Sequence, residues 1–96
     1  HLSEDGMVLV ILGVNQHTGE MIYGPEIVSR GFVFEDESQE YLQTAKETVR
    51  EALSGVSLEF LADRDELRQL VRQTLKRFFK KSIERRPMVL PVILEM

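Results

Sequence analysis

Eight consecutive apolar positions, Met7-Val-Leu-Val-Ile-Leu-Gly-Val14, constrain this chain more than any other stretch of it. The run is short and rich in β-branched residues, so it reads as a strand rather than a helix. Side chains alternate between the two faces of a strand. Val8, Val10, Leu12 and Val14 therefore point one way, and Met7, Leu9 and Ile11 the other. Both rows are apolar, so both faces require cover and the strand belongs in the middle of its sheet.

The flanking residues supply its partners. Asn15-Gln-His-Thr-Gly19 is a cluster of turn formers, with Gly19 placed to take a positive φ, and Glu20-Met-Ile-Tyr23 reads as the returning hairpin strand. Gly24-Pro25 is expected to end that strand, because proline cannot donate to a ladder. Residues 26–30 read as a loop or a single helical turn, and residues 31–34 as a return to the sheet. A capping box at Asp36 and Gln39 opens a first helix, in which Tyr41, Leu42, Ala45, Val49, Ala52 and Leu53 share a face. Gly55 is expected to stop it. Residues 56–62 read as a linker whose Leu58, Phe60 and Leu61 pack. A second helix starts at Asp63, capped with Glu66, and carries Leu67, Leu70, Val71, Leu75, Phe78 and Phe79 as its apolar stripe. Arg86-Pro87 ends it, and Met88-Val-Leu-Pro-Val-Ile-Leu94 is a last strand whose Pro91 demands an edge or a bulge.

This order, β-β-α-α-β, predicts an α+β domain: a three-stranded mixed sheet in the order 2-1-3, with two helices on one face. Two helices cover only one face, so one apolar row of the central strand is left in need of a partner. Burying each such side chain is worth roughly 1.5–3 kcal/mol, which argues against a whole row standing in water. A second copy of the domain, forming a homodimer or higher homo-oligomer, is the expected cover. The candidate self-association residues are Val8, Val10, Ile11 and Leu12 with Met88, Leu90 and Val92.

A chain of 96 residues is expected to be one domain, and its 43% hydrophobic and 29% charged residues are those of a globular one. Its lack of cysteine excludes disulfides and thiolate metal sites. The longest apolar runs fall short of the roughly 20 residues that span a bilayer, so no membrane partner is expected. Beginning at His1 rather than at methionine, and lacking a secretory leader, residues 1–96 are expected to be a fragment of a longer cytoplasmic protein.

The net charge of −4 conceals a polarity: residues 64–86 carry nine bases and three acids, whereas residues 1–63 carry three bases and twelve acids. Arg64, Arg68, Arg72, Lys76 and Lys80 recur every four residues and form the candidate contact for RNA phosphates or a protein partner. The competing reading is a solvated basic face opposite an apolar stripe. Phe78 and Phe79 follow that stripe and read as core, which weakens the case for base stacking. Arg85 and Arg86 are best read as cations at a helix C-terminus. No nucleophile elbow, phosphate loop or metal-ligand spacing is present, and His17 lies alone in a turn, so catalytic, cofactor and metal residues are expected to be none.

Two longer segments, Gly24-Pro-Glu-Ile-Val-Ser-Arg-Gly-Phe-Val-Phe34 and Arg85-Arg-Pro-Met-Val-Leu-Pro-Val-Ile-Leu-Glu-Met96, together with Leu2-Ser-Glu-Asp-Gly6, resemble the C-terminal domain of ribonuclease J. That family comprises bacterial and plastid metal-dependent ribonucleases with a metallo-β-lactamase and β-CASP core. The resemblance covers nearly the whole chain and implies a non-catalytic piece of a 5′-to-3′ exoribonuclease and endoribonuclease of RNA maturation and decay. It implies further that the piece supports oligomerisation of the catalytic core. The core would hold the zinc ions and meet the RNA. The family's His-x-His-x-Asp-His metal signature is absent here. A small RNA-binding module, delivering substrate through the basic helix, is the alternative.

Overall fold

The computed structural model describes residues 6–31 and 38–96, with the side chains of residues 38 and 39 excepted. Strand β1 (Met7–Val14) is central, flanked by β2 (Met21–Arg30) and β3 (Met88–Glu95). β2 pairs with β1 antiparallel and β3 pairs with it parallel. Between β2 and β3 the chain forms helices α1 (Ser38–Ser54), α2 (Leu58–Ala62) and α3 (Arg64–Ile83). The fold is thus α+β with the sheet order expected, and it carries one short helix more than expected. The Asp36–Gln39 capping box and most of residues 31–34 lie outside the described residues.

The hairpin forms where the turn chemistry puts it. Asn15 Oδ1 accepts the backbone N–H groups of His17 and Thr18, and Gly19 takes φ +82°. A Cβ on Gly19 would meet the backbone of Leu61 and Ala62 at 2.8–2.9 Å, so the turn also seats α2. β2 does not stop at Gly24-Pro25; it continues to Arg30. The reason is its edge position, where a missing donor is tolerated. One extra residue is taken up there: Ile11 faces Glu26 while Gly13 faces Tyr23. Gly24, at φ +91°, allows Ile11 O an approach that a Cβ would block.

Residues 56–62 are not a linker. Ser57 Oγ accepts the Phe60 N–H and nucleates α2, which buries Leu61 and leaves Leu58 outside. Asp63 then caps α3, its Oδ1 accepting from the N–H groups of Asp65 and Glu66. α3 ends one turn earlier than Arg86: Glu84 takes a left-handed conformation, φ 55°, and donates its N–H to Lys80 O. Arg85 and Arg86 consequently lie beyond the helix, and Lys80 and Lys81 are the cations of its last turn.

The core sits between the helices and the even-numbered row of β1. Val8, Val10, Leu12 and Val14 have no exposed surface, and they pack with Ala45, Val49 and Leu53 of α1 and Leu67, Val71, Leu75 and Phe79 of α3. An aromatic cluster closes one end of the α1–α3 contact: the Tyr41 and Phe78 rings lie 5.1 Å apart, and Phe78 and Phe79 5.6 Å. Tyr41 hydroxyl shares a hydrogen bond with Ser82 Oγ, which donates to Phe78 O. Burial raises the Tyr41 pKa above the ordinary phenol value, and the Ser82 bond opposes that in part.

Pro91 falls where the geometry expected it, on an edge strand. Met88 and Met96 donate their N–H groups to Gly6 O and Val14 O. Even-numbered residues of β3 thus bond to β1, while Pro91, an odd one, directs its missing donor to the free edge.

Candidate functional site

Two surfaces stand out, and both derive from β3 being an edge strand beside α3. The first is the helix-free face of the sheet. Register carries the odd row of β1 across it: Leu9 faces Val28 and Leu90, and Ile11 faces Val92. Met7 and Met88 extend the row at one end, and Gly13 with Tyr23 and Leu94 at the other. Val28, Leu90, Leu94 and Tyr23 are exposed by 37–47%, while the β1 members are half-buried between their neighbours. Gly13 is where side chains close over the sheet, since a Cβ there would lie 2.8 Å from Tyr23 Cβ and against Met96. By register, the charged positions on this face are Arg30 and Glu26, both on β2, and Glu26 pairs with Lys46 of α1 at 3.5 Å.

Three of the self-association candidates therefore drop out. Val8, Val10 and Leu12 point into the helix layer and have no surface to offer. Ile11, Met88, Leu90 and Val92 remain, joined by Met7, Leu9 and Val28. Alternation along β1 had already separated the two rows; which row the helices take is a tertiary matter.

The second surface is a groove between α3 and the start of β3, with a volume of about 550 Å³. Arg72, Lys76 and Lys80 line one wall, one helical turn apart, and Arg86 joins them. The rest of the lining among the described residues is Pro87, Met88, Val89 and Leu90. The basic stripe on α3 is thereby divided. Arg64 faces away into structural work: its side chain is 17% exposed, donates to Leu61 O and Ala62 O at 3.1 Å, and pairs with Glu95 at 3.4 Å. Arg68 pairs with Asp65 at 3.1 Å. Among the described residues, Arg72, Lys76 and Lys80 form no salt bridge. Arg86, read from sequence as a helix-end cation, belongs to the groove because the helix stops before it.

His17 is exposed in its turn, and His1 lies outside the described residues. No three His, Asp or Glu side chains gather as a metal site among the described residues. Their donor set therefore does not fit the zinc that the resemblance implies for the enzyme as a whole. No described helix is long and apolar enough to cross a membrane.

Comparison with known proteins gives the chain its family. The model of the ribonuclease J C-terminal domain family matches residues 1–96. The chain is similar to ribonuclease J2 of Bacillus subtilis (strain 168), with 32% identity over 94 residues. It is likewise similar to ribonuclease J 2 of Staphylococcus aureus (strain NCTC 8325 / PS 47), at 36% over 94 residues. In both alignments 98% of this chain covers 17% of the relative, so the chain spans about a sixth of those proteins. The chain belongs to the ribonuclease J C-terminal domain family.

Proposed function

We propose that this domain holds together subunits of a ribonuclease J through its helix-free sheet face. The observation that carries the reading is the apolar row of Leu9, Ile11, Val28, Leu90 and Val92, which no helix of the described chain covers. A two-fold pairing of two such faces is the simplest closed arrangement, and it buries the same row twice. The catalytic work, 5′-to-3′ exonucleolytic and endonucleolytic hydrolysis in RNA maturation and decay, belongs to a zinc-bearing core outside this chain. That core supplies the contact with RNA, in the cytoplasm. Light scattering across a dilution series tests the reading. The chain should move from dimer or higher oligomer to monomer on dilution, and Ile11→Asp should be a folded monomer at every concentration. A wild-type chain that stays monomeric when concentrated refutes it.

A further inference from the structure

We propose that the α3–β3 groove is a docking site for a short acidic peptide segment that also carries an apolar side chain. The groove shares Met88 and Leu90 with the helix-free sheet face, but its charges come from α3, so they can be reversed without touching the self-association row.

Charge selects the sign of the occupant. Arg72, Lys76 and Lys80 stand along one wall without a salt bridge among the described residues. From Arg72 to Lys80 the wall is about 12 Å long, at 1.5 Å per helical residue. Residues 87–90 of the facing wall span about 10–13 Å when extended. The two walls thus match in length, and the space suits roughly four residues of extended chain. Cations one helical turn apart are about 6 Å from each other, close to the 6.6–6.8 Å between alternate side chains of an extended peptide. Carboxylates at alternate positions would therefore each meet a cation.

The floor selects the class. Met88 and Leu90, over the buried Pro87 and Val89, form an apolar surface, which an aliphatic side chain of a peptide would cover and a phosphate chain would leave unused. Single-stranded nucleic acid is held by aromatic side chains on which bases stack, and among the described residues no aromatic one lines the groove. Phe78 and Phe79, the aromatic residues of α3, are committed to the core cluster.

The test is fluorescence anisotropy of the 96-residue chain with three labelled probes. One is a peptide alternating glutamate and leucine, the second an all-glutamate peptide of equal length, and the third an oligouridylate. The alternating peptide should bind most tightly. Reversing two groove charges in Lys76→Glu/Lys80→Glu should weaken it at least about tenfold, the loss of more than one charge-assisted contact. Arg77→Glu/Lys81→Glu carries the same change in net charge on exposed α3 positions outside the groove, and should bind as the wild type does. Amide shifts on binding should centre on residues 87–90. The idea is overturned by absence of binding, by equal losses in both double variants, or by equal affinity for the all-glutamate peptide. Tighter binding of the oligouridylate, lost in Lys76→Glu/Lys80→Glu, would make the groove an RNA-phosphate site instead.

Discussion

Neighbouring positions on one strand, Val10 and Ile11, should respond in opposite ways to the same aspartate. Val10 has no exposed surface, and no buried polar or charged side chain stands among the described core residues to receive a carboxyl. Removing the valine forfeits roughly 1.5–3 kcal/mol of burial. The new carboxyl must be neutral there, and protonating an aspartate of ordinary pKa at pH 7 costs about 4 kcal/mol. Leaving it without a partner adds roughly 1–3 kcal/mol. The total, about 7–10 kcal/mol, is comparable to the whole stability of a domain this size, roughly 5–14 kcal/mol. Val10→Asp should therefore be unfolded or nearly so in far-UV circular dichroism.

Ile11 is half-buried and belongs to the row the helices leave open, so its aspartate keeps access to water in the monomer. The folding cost should stay below about 2 kcal/mol, less than full burial of the side chain. In a two-fold pair each copy contributes the substitution, so the association loses roughly 3–6 kcal/mol, or about 10²–10⁴-fold in Kd. Urea titration and light scattering of the same samples separate the two quantities. If Ile11→Asp unfolds as Val10→Asp does, the sheet covers its own second face and the reasoning fails.

Gly19→Ala should destabilise the fold by more than about 1–2 kcal/mol, because φ is +82° and α2 backbone stands 2.8–2.9 Å from the new Cβ. Gly55→Ala, whose Cβ would meet only Ala52 O at 3.8 Å, should be neutral or stabilising by about 0.4–1 kcal/mol in the same urea titrations. The raised Tyr41 pKa means that the native state holds the phenol proton more tightly than the unfolded chain. Its contribution is complete below the unfolded value near pH 10 and is lost as pH rises through the folded value, so the stability gap between wild type and Tyr41→Phe should narrow in alkaline melts. The purified chain should not cleave RNA with zinc, manganese or magnesium; metal-dependent turnover abolished by His17→Ala would overturn the proposal that catalysis belongs to a core outside this chain.

Much of this protein was legible in the order of its residues. Unbroken apolarity from Met7 to Val14 placed β1 at the centre, and Pro91 placed β3 at an edge, because each follows from what a single strand can bond and bury. Turn chemistry did the same for Gly19, and the Asp63 cap for the start of α3. Three features needed the assembled molecule. β2 runs through Pro25 because the strand is an edge and can absorb an extra residue at Gly24, a tolerance its own sequence does not encode. α2 is a single turn held by Ser57 and by the Gly19 turn across the fold, too short to leave a periodic signal. The two candidate surfaces are of the same kind. Alternation separates Val10 from Ile11, but both rows are equally apolar, and only the docking of α1 and α3 decides which is core. A fourfold spacing likewise lines up Arg64, Arg68, Arg72, Lys76 and Lys80, yet Glu95 and the carbonyls of α2 claim Arg64, while β3 turns Arg72, Lys76 and Lys80 into the wall of a groove. Periodicity reports which side chains share a face; what that face meets depends on segments distant in the chain.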